Sequence, residues 1–160
     1  MVEEVIRAKR FEMVDDEGQA RVVLGTQDET SGLMLLDSNG QSVAELAVSD
    51  DTGSAMLSLY DERGSLRASL DLDADGSPTV GLYDISGEPR ISLGIAEGGS
   101  PVLDFTGPFG EARMSLDVDE DGLPGIVLMD GEGNDRATIR VDKDGTPFLE
   151  FMDADGRPVQ

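Results

Sequence analysis

No cysteine and no histidine occur among the 160 residues. That excludes disulfides, thiolate nucleophiles, imidazole bases and most zinc sites together. Tryptophan is absent and aromatics make up only 4% of the chain. Basic residues are scarce, with 12 Lys and Arg against 34 Asp and Glu, for a formal charge of −22. Bare phosphate backbones need Lys and Arg to displace their counterions, so no nucleic-acid partner is expected. An anionic membrane surface would repel the chain for the same reason. No apolar run approaches the roughly 18 residues of a membrane span. The opening Met-Val-Glu-Glu-Val-Ile-Arg lacks the apolar core of a secretory signal. The cytoplasm is the default expectation, and a virion or filament component reads the same way.

What is present is a repeat. Gly18, Gly40, Gly64, Gly87, Gly110, Gly133 and Gly156 recur at spacings of 22, 24, 23, 23, 23 and 23. An Asp stands three residues before most of them, and Arg21, Arg67, Arg90, Arg113 and Arg136 stand three residues after. A second series, Gly53, Gly76, Gly99, Gly122 and Gly145, follows 12 or 13 residues later. Pro78, Pro101, Pro124 and Pro147 come two residues beyond the last four of these. The segments between glycines have strand length and alternate with period two, as in Val80 and Leu82, then Ile91, Leu93 and Ile95. One-faced apolar alternation means half-buried strands.

The expected fold is therefore all-β: an antiparallel meander of about 13 short strands built from 23-residue two-strand repeats. Residues 1–11 read as an N-terminal segment or first strand, and 12–160 as one hairpin-repeat domain. A two-residue loop at the first turn, such as Asn39-Gly40 or Ser86-Gly87, would place Tyr83 opposite Arg90 and Tyr60 opposite Arg67. The second turn, as at Asp73-Ala74-Asp75-Gly76, needs an odd, three-residue loop with a left-handed glycine. The rival architecture is a two-sided β-solenoid, which tight turns disfavour. A flat sheet of this size would bare about 1,200 Å² of apolar face by standard strand spacing. Soluble monomers rarely show so much. The face must be buried, either by the sheet folding over on itself or by homo-oligomerisation.

Asp71-x-Asp73-x-Asp75-Gly76 and Asp117-x-Asp119-x-Asp121-Gly122 resemble the opening of an EF-hand calcium loop. The resemblance implies Ca²⁺ as the one candidate ligand. The bidentate Glu such a loop needs is replaced by Leu82 and Leu128. No other cofactor is implied. No nucleophile elbow, phosphate loop or unusual polar cluster breaks the repeat, so no catalytic residue is assigned and the chain is not read as an enzyme. Departures from the repeat point to partners instead. Phe109 replaces a polar residue at a turn tip, and Arg7, Lys9 and Arg10 gather basic charge near the N-terminus. The Asp-x-x-Gly-x-x-Arg-x-x-Leu pattern broadly resembles acidic hairpin-repeat proteins of bacteria and their phages. That likeness rests on turn chemistry and brings no function with it. The expected role is a non-enzymatic structural or assembly subunit of a homo-oligomer, fibre or larger protein complex. The alternatives are a protein-binding module, using the outer sheet face or turn tips, and an acidic Ca²⁺-binding protein.

Overall fold

A computed structural model describes residues 5, 7–27, 29–96 and 98–159. The described residues contain no helix. The chain divides into two compact units, Met1–Gly76 and Ser77–Gln160. The first holds β1 (Arg10–Val14), β2 (Ala20–Gln27), β3 (Thr30–Leu36), β4 (Ser42–Ser49), β5 (Ala55–Tyr60) and β6 (Leu66–Leu72). The second holds β7 (Pro78–Tyr83), β8 (Pro89–Ile95), β9 (Pro101–Thr106), β10 (Ala112–Val118), β11 (Pro124–Met129), β12 (Asp135–Val141), β13 (Pro147–Met152) and β14 (Pro158–Val159).

Within each unit every strand pairs antiparallel with its sequence neighbours, so each unit is a meander. This order rules out the solenoid, whose coils would stack parallel. Among the described residues the strands number fourteen, close to the expected thirteen, with Pro158–Val159 adding a short β14 beyond β13. Of the expected first segment, residues 1–4 and 6 lie outside the described residues, and the strand proper begins at Arg10.

The second turns take the expected three-residue form. In the β10–β11 hairpin, Gly122 N–H donates to Asp119 C=O at 2.9 Å and Asp119 N–H donates to Leu123 C=O at 3.0 Å. Gly122 carries a φ of 82°, a left-handed conformation that glycine adopts without steric cost. The β4–β5 turn holds one residue more: Gly53 N–H reaches back to Ser49 C=O. That insertion absorbs the single 24-residue spacing.

The first turns are not two-residue loops. Gly87 N–H donates to Asp84 C=O, and Asp84 N–H donates to Glu88 C=O, so three residues lie between the closing pair. A two-residue turn of the favoured kind needs positive φ at a residue such as Ser86. Among the described residues only Glu29 is a non-glycine with positive φ. The odd loop is compensated by a β-bulge. Tyr83 pairs with Pro89 and Leu82 with Ile91, which leaves Arg90 as the extra residue. Arg21, Val43, Arg67, Arg113 and Arg136 are skipped in the same way. Tyr83 therefore faces Pro89 and Tyr60 faces Leu66, not Arg90 and Arg67.

An odd loop plus one bulged residue keeps the parity that the apolar pattern demands. In the first unit Leu24, Leu33, Leu46, Leu57 and Leu70 run in one ladder. In the second, Val80, Leu93, Leu103, Leu116, Ile126, Ile139 and Leu149 do so. The opposite face carries small and polar residues, including Val23, Ser58 and Ser69 in one unit and Gly81, Val127 and Thr138 in the other. Burial falls on this second face: Val23 is 2% exposed and Thr138 7%. Each unit is a single layer, with no strand touching any but its sequence neighbours. Longer side chains lean over small residues, as the Tyr83 ring covers Gly81. The tall Leu and Ile side chains have nothing to lean on. Leu24 stays 51% exposed and Ile139 50%. The expectation that folding over would bury the apolar face is thus not met within either unit.

Gly32 marks the tightest approach on the small-residue face. A Cβ there would lie 2.5 Å from the Leu46 carbonyl oxygen and 2.9 Å from the Ala47 Cα. Backbone cannot yield as a side-chain tip can. Gly32→Val is expected to destabilise the fold by roughly 1–3 kcal/mol, measured as a lower urea midpoint. An unchanged midpoint would contradict the close β3–β4 packing.

Candidate functional site

Two features stand out from the repeat: an uncharged apolar face and a row of acidic turns locked by arginine. The apolar face comprises three ladders. The central one is described above. Beside it, nearer the first turns, lie pairs such as Leu59 with Ala68, Leu82 with Ile91, Phe105 with Met114 and Ala137 with Phe151. Nearer the second turns lie Ala55 with Leu72, Ile95 with Pro101, Val118 with Pro124 and Val141 with Pro147. Thr26 and Ser31, paired beside the β2–β3 turn, are the polar exceptions. No ladder position is itself a charged residue; at the edge, the Asp50 carboxylate accepts Ser31 Oγ at 3.1 Å. In the second unit the face forms an open trough of about 450 Å³, floored by Leu93, Leu103, Leu116, Ile126 and Ile139.

The first turns are built by one carboxylate each. Asp130 Oδ1 accepts the Glu132 amide at 2.8 Å and the Asn134 amide at 3.0 Å. Its Oδ2 accepts Arg136 Nε at 2.7 Å. The bulge is what brings Arg136 back over the turn. Asp15 pairs with Arg21 at 2.9 Å, Asp61 with Arg67 at 3.4 Å and Asp84 with Arg90 at 2.8 Å in the same way. Arg90 Nη1 also donates to the Gly107 carbonyl, and Arg136 Nη1 to the Asp153 carbonyl, so each guanidinium ties its turn to the next. Asp37 faces Val43 in place of an arginine, and Asn39 Nδ2 donates to its free oxygen at 3.3 Å. At Gly107 the Asp is missing. The Glu111 carboxylate fills the space instead and accepts the Phe109 amide at 2.9 Å.

These bonds favour the charged carboxylates. The Asn134 amide, followed by that of Glu132, holds Asp130 far below the ordinary aspartate range. The Gln19 and Gln41 amides also lower Asp15 and Asp37, the Arg63 amide lowers Asp61, and the Arg90 side chain lowers Asp84. The spacing Asp-x-x-Gly-x-x-Arg carries this clamp in plain view. Pairing the arginines with tyrosines overlooked it, because that pairing assumed a loop with no bulge.

The six candidate calcium ligands are not drawn together. Asp71 sits in β6 and accepts Ser69 Oγ at 2.5 Å. Asp73 closes its turn through its carbonyl. Asp117 lies in β10 across from Gly125, while Asp119 Oδ1 is occupied by the amides of Asp121 and Leu123, both at 2.9 Å. Asp121 meets Lys143 Nζ at 2.8 Å. No group of three carboxylates converges on a metal position among the described residues. Phe109 stands 93% exposed at its turn tip. Arg7 and Lys9 are exposed, and Arg10 is paired with Glu12 at 2.5 Å.

A carboxylate whose folded pKa is depressed stabilises the fold fully above its unfolded value and loses that contribution as pH falls through the folded value. The ordinary aspartate value is 3.8. Asp130→Asn removes the charge that holds Arg136. The variant is expected to melt a few degrees lower at neutral pH, and the gap to the parent should narrow as pH falls below 3.8. A gap independent of pH, read by circular dichroism melts, would contradict the clamp. No protein-family model matches this chain, and no curated protein matches it either.

Proposed function

We propose that this chain is a non-enzymatic structural or assembly protein, a β-repeat subunit that works with its apolar face against protein in a homo-oligomer, fibre or larger complex. The observation that carries this reading is the exposed three-ladder face, free of charged residues over both units. Only Val23, Ala47 and Val127 are buried apolar residues among those described. So meagre a core leaves most of the available hydrophobic stabilisation unused until the face is covered. The polar groups that recur along the chain are engaged in turns, which fits a scaffold better than a catalyst. The charge of −22 argues against nucleic acid and anionic membrane as partners.

A second reading, a protein-binding module, draws on Phe109, a large apolar side chain held clear of the sheet by a turn that Glu111 braces. A cation-binding role has less to stand on, since Asp119 and Asp121 already have partners within the chain.

Sedimentation equilibrium of the purified chain at micromolar concentration is expected to give a mass of two or more 17.0 kDa protomers. A compact, stable monomer that stays soluble would overturn the homo-oligomer.

A further inference from the structure

Resting on that reading, we infer that the layer covering the apolar face is a second copy of this chain, set apolar face to apolar face. Three observations favour a copy over a foreign protein. The first is area. By strand spacing and rise, the six-strand and eight-strand units present roughly 500 and 700 Å² of apolar face. Stacked on its counterpart, the eight-strand unit alone would bury about 1,400 Å² in total, within the roughly 1,200–2,000 Å² of a stable protein interface.

The second is pitch. The central ladder of each unit is apolar and rich in leucine, one residue per strand, at the strand spacing of about 4.8 Å. Ridges of such a lattice interdigitate along their length only with a lattice of the same pitch. Another copy matches that pitch, as any sheet would, and in addition carries the same run of side chains, so the face of one unit paired two-fold with its counterpart closes on itself. The face is also level in chemistry: no carboxylate or guanidinium within the ladders would be left buried and unpaired by stacking.

The third is where the charge lies. The turn carboxylates sit at the strand ends, at the rims of the stacked faces, where repulsion between copies is solvated and screened within about 10 Å. Self-association of two such anions therefore strengthens with salt. A basic partner drawn by the −22 charge would behave in the opposite sense.

Leu93→Asp and Ile139→Asp test the contact, because both positions are half exposed in the chain alone and neither supports the sheet from beneath. Each variant should keep the parent β spectrum in circular dichroism and self-associate roughly a hundredfold more weakly by sedimentation. Arg140→Gln, exposed on the opposite face, should match the parent. Raising NaCl from about 0.05 to about 0.5 M should tighten parent association. If the parent assembles and both apolar-face variants assemble equally well, the face-to-face contact is overturned while the assembly role stands. A loss of association with rising salt would also overturn it. A parent that stays monomeric removes the copy as the covering layer and the homo-oligomer with it. Loss of β signal in both variants would overturn the premise that the face is free in the single chain.

Discussion

A single carboxylate placed one residue ahead of all but one of the first turns governs the geometry of the sheet. Asp84 and its equivalents accept two turn amides through one oxygen and an arginine through the other. Two amides two and four residues downstream close a three-residue loop with glycine in the left-handed position. A three-residue loop alone would leave the following strand one residue out of phase with the apolar pattern. The bulged residue corrects the phase, and in four repeats that residue is the arginine that returns to the aspartate. Loop length, bulge and ion pair are thus one device. At Asp37 and Gly107, where one partner is missing, the bulge persists and a neighbouring side chain, Asn39 or Glu111, takes up the unmet bond.

Phase correction has a large consequence. It lines most tall apolar side chains on one face of each unit and most polar ones on the other. In a single layer, burial then goes to whatever is short enough to be overshadowed by its neighbours. Ser58, Ser69 and Thr138 are buried, while Leu46, Leu93 and Ile139 are not. The arrangement inverts the usual relation between hydrophobicity and burial. A sheet of this kind is half of a core, and the functional proposal follows from the missing half.

The acidic character has a structural place as well. Carboxylates at the turns are bonded to amides and guanidinium groups, so much of the charge lies at the strand ends and away from the ladders. Copies of the chain would meet on an uncharged surface and keep their charge at the rim. The resemblance of Asp119-x-Asp121-Gly122 to a cation loop comes from the same turn chemistry. A short acidic run ending in glycine serves a hairpin as readily as a metal, and here Asp119 has spent its oxygen on two amides.

Much of this was legible in the sequence. The 23-residue glycine period, the seven- and eight-residue segments and the period-two alternation of residues such as Ile91, Leu93 and Ile95 specify antiparallel hairpins with one apolar face. They do so because strand side chains alternate and tight turns reverse the chain. The spacing of Asp130, Gly133 and Arg136 was equally visible, but its meaning was not. Whether an arginine six residues on reaches an aspartate or a tyrosine depends on a bulge, and an even loop and an odd loop with one bulge leave the same apolar pattern. Only the hydrogen-bonded register separates them. Exposure of the ladders was likewise a tertiary matter. Alternation says which side chains share a face; what lies against that face depends on contacts far apart in sequence, and within each unit the chain supplies none.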